Sequence, residues 1–201
     1  MQHRPGAEQS AVHLTWADAA APSRECRNQA CFDDRSMLFC CHEREKMMIY
    51  HDEMLTECTA ADLQAAFRAY YGELGCQVTN WECLFDEISR GEDRILVRRS
   101  EAGDIVGFLM LVTSEAITAW RGFFTTKLGC VEEFWIAPAH RHQGHGSALL
   151  QLAEERFIAE GCGYAILTTD TAPDFYRRRG YSHQKGIRAR NNADVYLKPL
   201  T

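Results

Sequence analysis

Apolar positions fall into two alternating kinds of run from about Met47 onward. Leu149, Leu152, Ala153 and Phe157 stand at i, i+3, i+4 and i+8, which predicts a helix over Ser147–Phe157. Just before it, Val131 to Ala137 (Val-Glu-Glu-Phe-Trp-Ile-Ala) predicts a mostly apolar strand that Pro138 ends. Upstream, Leu63, Phe67, Tyr70 and Leu74 share one helical face. That helix opens at a capping box, Thr59-Ala60-Ala61-Asp62, and stops at Gly75. Asn80 caps a second short helix carrying Trp81, Leu84, Phe85 and Ile88, and Gly91 ends it. Strands are predicted over Met47–Tyr50, Arg94–Arg99, Ile105–Thr113 and Tyr164–Thr169, with a turn at Glu101–Asp104. Pro173 opens a short helix ending at Gly180, and a hairpin over 181–197 turns at Asn191-Asn192. Between Ile117 and Leu128, Trp120, Phe123 and Phe124 call for burial, but Gly122 interrupts any period.

The unit from Val131 to Thr169 reads strand, helix, strand, so its two strands lie parallel. The alternation of strands and helices predicts an α/β fold. Residues 1–46 show no sustained period and form a poorly ordered or accessory N-terminal extension ahead of a 47–201 domain. A 201-residue chain that is 46% hydrophobic and 25% charged is long enough for one real core. Its net charge of −6 disfavours nonspecific binding to nucleic acid or an anionic membrane. No apolar run reaches transmembrane length and no signal peptide is visible, so the expected location is cytoplasmic. The nine cysteines are scattered and odd in number, which argues for reduced thiols. Cys130 and Cys162 read as small core fillers. Cys26, Cys31, Cys40, Cys41 and His42 lack paired Cys-x2-Cys knuckles, so no metal is expected.

Chemistry enters at Arg141-His142-Gln143-Gly144-His145-Gly146, between the strand and the long helix. Such a loop brings backbone N–H groups together at the positive end of a helix, which suits a phosphate or pyrophosphate. No Gly-Lys-Ser/Thr follows, so it is not a Walker loop, and the third glycine of a dinucleotide fingerprint is missing. Arg141-x-x-Gly144-x-Gly146 after a strand ending in Pro resembles the general N-acetyltransferase (GNAT) superfamily. Phe175-Tyr176-Arg177-Arg178-Arg179-Gly180-Tyr181 is similar to that family's second signature, with Ala172 in its usual place. His142 stands where many members have Gly, and Thr169 where they commonly have Asn. The resemblance spans about Met47 to Thr201.

What the resemblance implies is specific. The fold is a mixed sheet whose two parallel strands splay, with the acyl-CoA arm in the gap. The activity is transfer of the acetyl group of acetyl-CoA to a primary amine in a ternary complex. The pyrophosphate lies on N–H groups from His142, Gln143, Gly144, His145 and Gly146, with Ser147 at the helix start and Arg141 as a flanking cation. Thr169 borders the same cofactor. The His142 and His145 side chains add charge below neutrality. Trp135, Ile136 and Ala137 meet the pantetheine through their main chain. Tyr176 protonates the departing thiolate, and Arg177, Arg178 and Arg179 form a solvated run or reach the adenosine 3′-phosphate. Glu132 or Glu133 is the general base, with a water chain as the other option. Strand neighbours face opposite ways, so one glutamate lines the cleft and the other meets solvent or an Arg. The helices of the first half form the acceptor side and are acid-rich: Asp52, Glu53, Glu57, Asp62, Glu73, Glu82, Asp86, Glu87, Glu92 and Asp93. That favours a small cationic amine. The alternative is a non-catalytic acetyl-CoA-binding sensor, and a homodimer is an open option for the assembly.

Overall fold

The computed structural model describes residues 49–114, 126–189 and 192–200. Its strands are β1 Tyr50–Leu55, β2 Arg94–Ser100, β3 Ile105–Ser114, β4 Leu128–Ile136, β5 Tyr164–Thr168, β6 Ser182–Arg188 and β7 Asp194–Pro199. The helices are α1 Ala61–Glu73, α2 Trp81–Arg90, α3 His145–Ala159 and α4 Pro173–Arg177. One seven-stranded sheet runs β1-β2-β3-β4-β5-β7-β6. Among the described strands only β4 and β5 pair in parallel; the other neighbours are antiparallel. The expected mixed α/β sheet is therefore present.

Helices cover both faces. Leu63, Phe67 and Tyr71 of α1 and Phe85 and Ile88 of α2 pack on Ile95, Val97, Phe108, Met110 and Trp135. On the other face Leu150, Ala153 and Phe157 of α3 pack on Leu109, Leu111, Val131 and Leu167. The alternation along β2 and β3 is the period-two signature of a sheet buried on both sides. Gly129 seats α3: a Cβ there would lie 2.1 Å from Cγ of Phe157. Cys130 and Cys162 are buried, as small fillers should be.

Two local expectations change. The first strand starts at Tyr50 rather than ending there, because its ladder with β2 runs from Tyr50–Ser100 to Leu55–Ile95. The capping box before α1 does not form. The N-cap is Ala60, with no side-chain hydrogen bond, and the Asp62 carboxylate is drawn to Arg99. The Asn80 cap does form, accepting from Cys83 N at 3.1 Å. Trp120, Phe123, Phe124, the N-terminal extension with its Cys26–His42 group, and Asn191 at the hairpin tip lie outside the described residues.

Two features of β4 shape the site. Its ladder to β5 spans only Leu128–Val131 against Tyr164–Leu167, while β4 itself continues to Ile136. The parallel strands thus part at their carboxyl ends, where ligands of α/β sheets bind. Against β3, Met110 faces Glu133 and Leu111 faces Val131, which leaves Glu132 unpaired in a β-bulge.

Candidate active site

The loop after β4 begins with a 3-10 turn, Pro138–His140. His142 then takes φ +62° and Gly144 φ +87°, both left-handed. For His142 that conformation costs about 1–2 kcal/mol relative to the right-handed region, and a glycine there would be free of it. Gly144 is the N-cap of α3. Among the described residues, no hydrogen bond takes the backbone N–H groups of residues 142–146. Those donors gather at the positive end of a 15-residue helix. Gly146 lets the first turn of α3 approach two rings: a Cβ there would stand 3.4 Å from Phe175 and 3.5 Å from Phe134.

Arg141 and His145 depart from their expected roles. Arg141 donates Nε to the carbonyl of Ile136 at 2.9 Å and ion-pairs with Glu73, the last residue of α1. Trp135 Nε1 donates to the same Glu73 carboxylate at 3.0 Å. Arg141 therefore locks the end of β4 to α1 and is already neutralised by a carboxylate. His145 is buried, its ring edge-on to Tyr50 at 4.5 Å. Burial, then the Arg98 and His140 charges, push its pKa down, which works against the charge expected of it below neutrality. His142, whose ring is exposed, has no such burial.

The bulge overturns the expectation that Glu132 and Glu133 face opposite ways. Glu133 takes hydrogen bonds from Tyr70 and from Tyr71, the latter at 3.2 Å. Glu132 lies near enough to Asp93, in the turn before β2, and to Tyr71 for its charge to act on both. Both carboxylates thus lie on the α1–α2 side of the sheet, because the extra residue breaks strand alternation. Desolvation, then the charges of Asp93 and Glu133, push the Glu132 pKa up to about 7. Glu132 is exposed to solvent in the sheet, which weakens desolvation, so the two like charges are the firmer causes. Desolvation also raises Glu133, while the two tyrosine hydroxyls oppose that rise.

Across the opening, Tyr176 sits on α4. It is buried against Tyr181 and Phe175 in edge-on contacts at 5.7 Å and 5.0 Å. Burial holds its pKa well above the ordinary phenol value, so it stays protonated. Arg179 lies over the Phe175 ring at 3.7 Å and donates to Ser147 on the first turns of α3. Arg177 pairs with Asp174 at 2.8 Å. Thr169 uses its hydroxyl oxygen to accept from Ala172 N at 3.1 Å, shaping the entry to α4.

A match to the acetyltransferase (GNAT) family spans residues 60–181. The chain belongs to that family. A provisionally assigned acyl-CoA N-acyltransferase from Klebsiella pneumoniae shares 23% identity, covering 77% of this chain and 99% of that one, at TM-score 0.55. An aminoglycoside acetyltransferase from an uncultured soil metagenomic sample shares 16% identity, covering 69% and 91%, at TM-score 0.55. The NatC complex, solved with Gag peptide and CoA, contains a chain 15% identical, covering 76% and 99%, at TM-score 0.53. These likenesses show the fold. No curated protein matches the chain in sequence.

As a GNAT acetyltransferase the protein is an acyltransferase that draws on an acyl-CoA. Its sequence pointed to the loop, to Tyr176 and to the two glutamates. It gave no site role to Tyr70 or Tyr71, and it named Glu73 and Asp93 only among the acids of the acceptor side. The Tyr70-Tyr71 pair on a predicted helix face was the available signal; Glu73 and Asp93 carried none beyond their charge. Pairing also narrows the acid-rich field. Asp52 binds Arg98 at 2.6 Å; Glu53 and Asp62 bind Arg99; Glu73 binds Arg141; Asp86 binds Arg90. Among the described residues, Glu57, Glu82, Glu87, Glu92 and Asp93 are in no ion pair, and Glu132 and Glu133 of β4 add to that charge. Among the described residues no group of three or more His, Cys, Asp or Glu is placed to hold a metal ion. None of their helices is long and apolar enough to cross a membrane.

Proposed function

We propose that the protein is an N-acetyltransferase that moves the acetyl group of acetyl-CoA to the primary amine of a small cationic acceptor. The observation that carries this is the parting of β4 and β5 between a helix start with free N–H donors and a buried, protonated Tyr176. The N–H groups of residues 142–146 fit a pyrophosphate. Ser147, held by Arg179, and Thr169 border the same opening. Trp135, Ile136 and Ala137 offer main-chain partners to the pantetheine arm. Arg141 supports this strand end by capping the Ile136 carbonyl rather than by meeting phosphate.

Glu132 is the general base in this reading. Its pKa of about 7 keeps a useful fraction ionised at neutral pH with real proton affinity. Glu133 is held by Tyr70 and Tyr71 and supplies fixed negative charge for a cationic acceptor. Tyr176 returns a proton to the departing sulfur. Proximity of amine and thioester contributes several further kcal/mol. The domain runs over 47–201, with 1–46 as an accessory segment.

The test is cofactor binding followed by turnover. Acetyl-CoA at millimolar concentration raises the melting temperature, because it binds only the folded loop. Gly144→Glu removes the shift by placing bulk and negative charge at the donors. An unchanged wild-type melt overturns the cofactor assignment. A shift without turnover on any amine supports a non-catalytic sensor instead.

A further inference from the structure

Glu133 is a carboxylate that the fold surrounds with donors and leaves without a cation. Tyr70 and Tyr71, consecutive residues of α1, donate to its two oxygens, Tyr71 to Oε1 at 3.2 Å. The two phenol rings stand 5.1 Å apart, and Tyr71 lies edge-on to Trp81 of α2 at 5.9 Å. The carboxylate therefore sits against an aromatic wall built by the two early helices. Among the described residues no Lys, Arg or His pairs with it. Glu133 and Tyr70 are only half-buried, so the group keeps a face open to the cleft. A carboxylate has about four lone-pair sites, and the tyrosine hydrogens fill two of them. Each phenol oxygen, having donated its hydrogen, can still accept.

We propose that Glu133, Tyr70 and Tyr71 form an anchoring subsite for a second, non-reacting primary ammonium of the acceptor, which makes the substrate a diamine or a longer polyamine. This rests on the acetyltransferase reading above, in which Glu132 takes the proton of the reacting amine. A primary ammonium carries three N–H donors. One carboxylate oxygen and two phenol oxygens offer it three acceptors, and the rings add cation–π attraction. The nitrogen held here is not the one that attacks. An attacking amine must first lose its proton, whereas this site favours a charged guest. Desolvation raises the Glu133 carboxyl, and the two tyrosine hydrogen bonds oppose that rise. An ammonium settled on the group offsets the desolvation and keeps both partners charged. The β4 bulge brings the Glu132 carboxylate to the same side of the sheet, from the adjacent residue, whose Cα is about 3.8 Å away. A short alkyl chain spans the two groups, so one acceptor meets both. A monoamine uses only one of them.

The test compares diaminobutane, with an amine at each end, and butylamine as acceptors for the full-length protein with acetyl-CoA. In the wild type kcat/KM is expected to be at least about tenfold higher for the diamine, the size of one charge-assisted hydrogen bond and well above the advantage of two equivalent ends. Glu133→Gln brings the ratio to within about threefold of unity, and Tyr71→Phe lowers it less, with the loss falling mainly on KM. A second arm uses CoA in place of acetyl-CoA and reads the tyrosine ring hydrogens by NMR. Diaminobutane shifts the Tyr70 and Tyr71 signals of the wild type at concentrations at least about tenfold lower than those of Glu133→Gln. Equal kcat/KM for the two amines in the wild type overturns the subsite, and this comparison needs no variant to fold. A diamine preference that survives Glu133→Gln, or tyrosine rings unmoved by diaminobutane, overturns it too. Absence of turnover on every amine strikes the acetyltransferase reading alone, and the ring shifts then still decide the anchor.

Discussion

Tyr71 donates its hydroxyl hydrogen to Glu133 Oε1 at 3.2 Å, while its neighbour Tyr70 donates to the other oxygen. Two consecutive helical residues thus reach one carboxylate, across the interface between α1 and β4. Replacing Tyr70 by Phe keeps the ring and leaves Glu133 with one donor fewer. The loss for a hydrogen bond to a charged partner is about 1.5–3 kcal/mol. Urea unfolding of Tyr70→Phe checks this, and a loss below about 0.5 kcal/mol would show that Glu133 is satisfied by water instead.

Glu160 anchors the far end of α3 by accepting from Arg94, Thr113 and Arg156. The hydrogen bond from Arg94 leads the causes that hold its pKa well below the carboxylate range. A depressed folded pKa stabilises the fold above the unfolded value, near ~4.3, and that stability is lost as pH falls through the folded value. Acidification from about pH 5 toward pH 2 therefore unfolds the wild type more steeply than Glu160→Gln. Parallel slopes for the two proteins would contradict the assignment.

The loop makes a paired prediction. His142→Gly relieves a left-handed non-glycine residue and leaves stability unchanged or raised by up to about 1 kcal/mol. Gly144→Ala, at φ +87° with no neighbour within 4 Å of the added Cβ, lowers stability by about 1–2 kcal/mol through backbone strain alone. Thermal melts without ligand separate the two. A destabilised His142→Gly would mean that its ring, not its backbone, supports the loop.

Tyr176→Phe keeps the buried ring and removes the proton donor. Turnover drops by about 10²–10⁴-fold while the acetyl-CoA melting shift persists. Turnover within about twofold of the wild type would exclude Tyr176 as the acid.

Much of this was readable from residue order. The i, i+3, i+4, i+8 spacing placed α3, Asn80 placed the start of α2, and the two motifs placed the loop and Tyr176. The misreadings share a cause, which is that they depend on long-range contacts. Period two assumes an uninterrupted ladder, and the bulge at Glu132 is visible only once β3 sets the register. Asp62 looks like half of a capping box until Arg99 of β2 stands beside it. Arg141 and His145 look like cations for an anion until Glu73 and Tyr50 take them. His142 illustrates the reverse case: a departure from the family's glycine appears in the structure as a left-handed backbone.

Thiol release from acetyl-CoA measures acetyl transfer to a cationic amine directly. Polyamines, aminoglycosides, and neutral and acidic amino acids are compared at low and high salt, with Glu132→Gln alongside. Thiol release is expected with the cationic amines, with a preference that weakens as salt screens the acids of the acceptor side and an acidic limb of kcat/KM near pH 7. Preference for acidic acceptors, or full activity in Glu132→Gln, would contradict it.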